Sequence, residues 1–264
     1  MLEADDITFR VGDRELVSGA SVSFAPGKLN LVIGPNGAGK STLIKVLSRL
    51  LRPQMGNVRY EGIDISRASD ADLAKRRAVL SQAVEVAFPL TVREVVMMGR
   101  YPHFGGRPGP IDERIVDEMM DLFDVAIFED RNYQTLSGGE RQRVNFARVL
   151  GQLWRPDDTP NSLPSCRYLF LDEPLTFLDI HHQIDFMKKV RLFTGSPDVV
   201  TVGVVHDLNL AARFADQIVL INDGRIVASG SAAEVLTPER IRQIFLVEPT
   251  FLETPGMGLN LIFD

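Results

Sequence analysis

An α/β fold around a largely parallel sheet is what this sequence predicts, on three observations. Short apolar, strand-like runs alternate with stretches that are apolar at helical spacing, the pattern of strands joined by crossover helices. A glycine-rich G-x-x-x-x-G-K-S segment, Gly34 to Ser41, stands between one such strand and one such helix. The apolar run RYLFLDEP ends on two carboxylates, Asp172 and Glu173, as a buried strand does when it delivers side chains to the C-terminal edge of a parallel sheet.

The elements follow in order. DITFRV and SVSFA read as short strands, with turn signals at Gly12-Asp13 and Pro26-Gly27. KLNLVI is a buried strand entering the glycine-rich loop, and STLIKVLSRLL is a helix that stops at Arg52-Pro53. Residues 54–65 read as a hairpin, and VLSQ, residues 79–82, ends a strand. From residue 89 to about 150 the texture is helical, with REVVMMGR and DERIVDEMMDLFDV joined by the glycine- and proline-rich YPHFGGRPGP, and a long helix from Glu140. This block is expected as a helical insert within one domain spanning residues 1–264. Alternation then resumes: the strand YLFLDE, a helix after Asp179, the strand VVTVGVV, the helix DLNLAARFA, and a hairpin of QIVLINDG and RIVASG across Asp223-Gly224.

The bulk properties exclude some roles. With 264 residues, 45% hydrophobic and 24% charged, the chain is of ordinary globular composition and can bury a sizeable core. A net charge of -6 weighs against a nucleic-acid partner, which calls for a basic face. The single cysteine, Cys166, excludes an internal disulfide and suits a reducing compartment. MLEADDITFR has neither the basic flank nor the apolar core of a signal peptide. Apolar runs such as VVTVGVV fall far short of the roughly 20 residues of a membrane-spanning helix. Any role in transport therefore calls for a separate membrane partner.

The loop Gly34, Pro35, Asn36, Gly37, Ala38, Gly39, Lys40, Ser41, Thr42 is expected to hold a nucleoside triphosphate. Its glycines let successive N–H groups turn inward on phosphate oxygens, and the next helix adds its positive end. Lys40 is expected on the β- and γ-phosphates, Ser41 on Mg²⁺, and Thr42 on a phosphate oxygen. Asp172 suits a position near Mg²⁺, and Glu173 suits a general base aimed at a water. His206 ends the strand VVTVGVV, 33 residues after Glu173; it is either a structural histidine or a γ-phosphate contact that holds the attacking water. Gln82, at another strand end, is a candidate sensor of Mg²⁺ and water. His181 and His182 are adjacent on a helix, diverge by about 100°, and cannot chelate a metal together; His103 is placed in a loop.

LSGGERQR, residues 136–143, reads two ways at once. Ser137 and Glu140 form a capping box, yet Gly138 and Gly139 leave bare N–H groups at the helix start, which is an anion site. The phosphates already have one wall in residues 34–41, so Ser137 and Gly139 are expected to contact the γ-phosphate bound to a second copy, across a two-fold interface.

GPNGAGKST, VLSQ, LSGGERQR, RYLFLDEP, the FLD turn ending at Asp179, and VVHD, in that order, resemble the ATPase subunits of ABC transporters over nearly the whole chain. The resemblance implies a P-loop NTPase (RecA-like) core with an N-terminal antiparallel β-subdomain and an inserted α-helical subdomain. It implies ATP and Mg²⁺ as cofactors, a homodimer with Asp179 at the interface, and two transmembrane permease subunits touched by the helical insert. The place implied is the cytoplasmic face of the membrane. VVMMGRYPHF and LDIHHQ are similar to ATPases of importers for iron chelates, haem or cobalamin, served by an extracytoplasmic substrate-binding protein. MMGRYPH and the insertion RPDDTPNSLPSC are most similar to those of haem importers. Ferric siderophore and cobalamin importers stay open as alternatives, as does, more remotely, a soluble ABC ATPase acting on DNA or ribosomes. The sequence lacks the long coiled coil of the DNA-repair members and the second cassette usual in the translation members. One departure concerns the base: the family usually stacks adenine on an aromatic where this chain has Val11, and Phe9 is the candidate substitute.

Overall fold

A computed structural model describes residues 1–81, 88–155, 166–254 and 258–263. Its strands in chain order are β1 (Leu2–Val11), β2 (Arg14–Phe24), β3 (Lys28–Ile33), β4 (Met55–Tyr60), β5 (Ile63–Asp64), β6 (Arg77–Leu80), β7 (Arg167–Asp172), β8 (Val199–Val204), β9 (Gln217–Asn222), β10 (Arg225–Gly230), β11 (Pro249–Thr254) and β12 (Gly258–Phe263). A six-stranded sheet runs β10-β9-β3-β8-β7-β6. The strands from β9 to β6 pair in parallel, and β10 closes one edge antiparallel. Every residue of β7 and β8 is buried, which is why both read as predominantly apolar runs. A separate antiparallel sheet runs β2-β1-β4-β5. The hairpins expected at residues 54–65 and across Asp223-Gly224 both form. Their turns, Glu61-Gly62 (φ 51° and 79°) and Asp223-Gly224 (φ 46° and 76°), have the double positive φ that matches strand twist.

The helices are α1 (Lys40–Leu47), α2 (Asp70–Arg76), α3 (Val92–Met97), α4 (Pro110–Leu122), α5 (Gly138–Leu153), α6 (Ile180–Thr194), α7 (Leu208–Phe214), α8 (Ala232–Val235) and α9 (Pro238–Phe245). Between residues 89 and 153, Arg93 of α3 joins Glu113 and Asp117 of α4, each at 2.7 Å. Phe146 of α5 stacks on Phe186 of α6 at 3.7 Å between ring centroids, which seats α5 against the core.

Three local readings change. The helix after the glycine-rich loop ends at Leu47, well before Arg52-Pro53, because Arg49 adopts φ 57° and breaks it. Met98–His103, expected as the end of a helix and a loop, is a 3₁₀ helix. Buried Arg100 holds it there, donating to Asp112 of α4 at 3.0 Å and to the Gly151 carbonyl of α5 at 2.7 Å. His103 Nε2 lies 2.7 Å from the Gln152 carbonyl, so this segment caps the C-terminal end of α5. Residues after RIVASG, for which the sequence suggested no element, form α8, α9 and the β11–β12 hairpin. Asn209 of α7 fastens that hairpin with two bonds to the Leu261 backbone, at 2.9 and 2.7 Å.

Arg167 opens β7 and donates twice to Asp198, just before β8, at 2.8 Å each. Burial pushes the Asp198 carboxyl up, but the bonds from Arg167 and Ser196 outweigh it and hold the group below the usual carboxylate range. A depressed folded value stabilises above the unfolded pKa and is lost as pH falls through the folded one. Asp198→Asn is expected to cost about 1–2 kcal/mol near neutrality, discounted because Asp198 is partly exposed, and about 2–6 °C in Tm. Thermal melts from about pH 7 down to about pH 3 check it: the gap to wild type should close towards acid, and a gap constant with pH contradicts the assignment.

Candidate active site

The parallel sheet gathers the site at one edge. β7 and β8 pair with Asp172 opposite Val204, and β3 pairs with β8 with Val32 opposite Val204. The chain leaving β3, β8 and β7 therefore emerges side by side, carrying the loop at Gly34, then His206, then Glu173. β6 runs parallel to β7, with Leu80 opposite Leu171, and reaches the same edge; Gln82, two residues on, lies outside the described residues.

Two glycines fit the phosphate loop to its surroundings. Gly34 has φ 153°, and a Cβ there would stand 2.1 Å from the Ile221 carbonyl oxygen; Gly39 has φ 103°, and a Cβ there would stand 2.2 Å from the Leu16 carbonyl oxygen. Any side chain would force the loop off β9 and β2. The Gly224 amide donates to the Ala38 carbonyl at 3.0 Å, so the β9–β10 turn braces it from a third side. Lys40 is buried and donates to the Gly34 and Pro35 carbonyls, both at 2.8 Å. Burial lowers its pKa, against the nearby charges of Glu173 and Asp172. Asn36 and Gly37 are exposed at the loop tip, and Ser41 and Thr42 are half-buried in the first turn of α1.

Ser41 Oγ donates to Asp172 Oδ1 at 2.7 Å, joining the loop to β7. Burial pushes the Asp172 carboxyl up, while the Ser41 bond pulls it down. Asp172 and Ser41 are hard oxygen donors, the chemistry that Mg²⁺ prefers. Glu173 is half-buried, and His206 Nε2 stands 2.9 Å from its Oε1. That contact sets the His206 ring beside the Glu173 carboxylate and is compatible with either reading of His206.

Ser137 caps α5, and Glu140 completes the box: the Ser137 amide donates to Glu140 Oε2 at 2.7 Å and Ser137 Oγ accepts from the Glu140 amide at 3.3 Å. Ser137 and Gly138 are exposed and Gly139 is half-buried. Asp179 caps α6, accepting from the His182 amide at 2.9 Å and from the His182 ring at 2.8 Å, so His182 is an Asp179 partner. Phe9 is half-buried against the core cluster that includes Val32 and Ala38, whereas Val11 is exposed.

Two residues that the sequence did not single out stand at the site. Phe177, exposed and at φ 67°, lies along LSGGERQR, the signature segment, with its Cβ 3.4 Å from where a Gly138 Cβ would be. Gln142 is buried on α5 and donates to the Pro174 carbonyl at 2.8 Å. A signal for Gln142 was present: with Asn145, Phe146 and Val149 it lies on the buried face of α5, where a polar side chain calls for a specific partner.

The family described as "ABC transporter" matches residues 17–154. The chain is 39% identical over 262 residues to a hemin import ATP-binding protein of Escherichia coli O157:H7, covering 99% of this chain and 98% of that one. It is 42% identical to a protein of the same name from Rhizobium meliloti (strain 1021), over 93% of this chain and 91% of that one. Among solved structures, it is similar to a chain of an inward-facing ABC transporter assigned to the metal-chelate type, with TM-score 0.80 and 21% identity over 100% of this chain and 96% of that one. It is also similar to the dimeric form of MJ0796, a bacterial ABC transporter cassette, with TM-score 0.74 and 23% identity over 88% of this chain and 99% of that one. Both solved structures share the fold.

Proposed function

This chain belongs to the ABC transporter family, as one of its ATP-binding cassettes, and we propose that it drives the import of haem as a homodimer on a membrane permease. The observation that carries the ATPase is the sheet edge, where Ser41–Asp172 and Glu173–His206 stand beside the phosphate loop. Haem as cargo is supported by near full-length identity to proteins named for hemin import. Among the described residues no helix is long and apolar enough to cross a membrane; in this reading the cargo passes through two transmembrane permease subunits, this chain sits at their cytoplasmic face, and an extracytoplasmic binding protein delivers the cargo.

The chain's own groups perform each step. Lys40 exchanges its two carbonyl partners for the β- and γ-phosphates, and the amides of residues 37–41 surround them. Ser41 and Asp172, with Gln82, would hold Mg²⁺, which when bound neutralises charge on the phosphates. Ser137 and Gly139 of a second copy close over the γ-phosphate, and α5 of that copy adds its positive N-terminal end. Glu173 takes a proton from the attacking water as its oxygen bonds to the γ-phosphorus and the bond to the β-phosphate oxygen breaks. His206, donating from Nε2, keeps the carboxylate aimed. ADP and phosphate no longer bridge the copies, the pair opens, and the helices between residues 89 and 153 pass the movement to the permease.

The test is uptake. The chain co-purified with its permease and placed in vesicles is expected to accumulate haem only with ATP, and not a ferric siderophore or cobalamin. Faster uptake of either of the other two would replace haem as the cargo while leaving the ATPase intact.

A further inference from the structure

Glu173 holds φ at 52° directly before Pro174. A residue before proline is steered towards extended backbone, and a left-handed conformation outside glycine persists only where its surroundings over-determine it. The turn's own contribution is weak: Thr176 Oγ1 donates to the Glu173 carbonyl at 3.1 Å, and the Thr176 amide is 3.5 Å from it. Gln183 of α6 fixes the far end of the turn, at the Leu178 carbonyl, at 3.0 Å. Next to the carboxylate, Gln142 of α5 braces the turn, its Nε2 donating to the buried Pro174 carbonyl at 2.8 Å.

We propose that Gln142 is a positioning residue for Glu173, and that through it the signature helix of a chain sets the base of that same chain. This rests on the reading of Glu173 as base and of Ser137 as the contact to a second copy's ATP. Gln142 stands in the same helix that Ser137 caps. A shift of α5 on engaging the second copy's γ-phosphate therefore moves the Pro174 carbonyl, and with it the peptide that orients Glu173. Each base is set when its own chain's signature is engaged at the other site, which links hydrolysis at one site to occupancy of the other.

Two substitutions separate a lost donor from lost packing. Gln142→Met keeps length and burial without a donor; Gln142→Glu is the closer isostere, and with all variants assayed above about pH 9, where a buried glutamate is ionised, it sets a carboxylate against the Pro174 carbonyl. Positioning by the amide ranks kcat as wild type above Met above Glu, with Met down about 10- to 100-fold and KM for ATP unchanged. A packing role ranks Glu above Met. Light scattering of the Glu173→Gln, Gln142→Met double variant with ATP is expected to show the same dimer as Glu173→Gln alone. Wild-type kcat in Gln142→Met, a rise in KM that accounts for its loss, Glu ranked above Met, or a monomeric double variant overturns the proposal. Should Gln142→Met fail to fold, Gln142→Glu decides alone: wild-type kcat overturns the proposal, and a fall in kcat at unchanged KM supports it. A Glu173→Gln chain that does not dimerise with ATP refutes the paired reading instead.

Discussion

Glu173→Gln is expected to lower kcat for ATP hydrolysis by about 10²- to 10⁴-fold, the range for loss of a positioned general base, with KM for ATP nearly unchanged. The amide oxygen of glutamine can still accept from His206 Nε2, now 2.9 Å from the carboxylate, so the geometry survives while the proton acceptor is lost. ATP then persists in the site, and light scattering should show an ATP-dependent dimer. Rapid hydrolysis in this variant would remove Glu173 as base. A monomer with ATP bound would remove the second copy from the site.

Lys40→Ala is expected to weaken ATP binding by about 10²- to 10⁴-fold, from the loss of two charge-assisted phosphate contacts at about 1.5–3 kcal/mol each. The fold should survive, because Lys40 is buried at a cost that lowers its pKa, and removing it relieves that cost even as two carbonyls lose a donor. Equilibrium binding of a fluorescent ATP analogue, with a thermal melt as control, separates the cases. Retained affinity with a normal melt would mean that the loop amides alone hold the phosphates.

Much of the fold was legible because burial leaves its mark on residue type. β7 and β8 are covered on both faces, so from Tyr168 to Leu171 no charged residue interrupts β7 before Asp172, and the strand end shows itself. The Asp223-Gly224 turn was legible because few residue pairs accept two positive φ values. Helix ends read less well: the stop at Leu47 depends on Arg49, whose guanidinium reaches the Ile65 and Ala68 carbonyls, a contact that local sequence does not carry. Met98–His103 was misjudged for the same reason, since its 3₁₀ form is held by the C-terminal end of α5.

The chain by itself determined the loop chemistry, the carboxylate pair and the signature, because each depends on residue types at short spacing. Glycines must stand where a Cβ would strike Ile221 or Leu16, and a lysine and a serine must follow them. Only the tertiary structure decided which distant groups meet. Parallel pairing of β3, β8 and β7 sets His206 against Glu173, and packing of α5 brings Gln142 to Pro174, neither of which sequence separation foretells. Side-chain identity is local, whereas register and helix seating are set by the whole core at once.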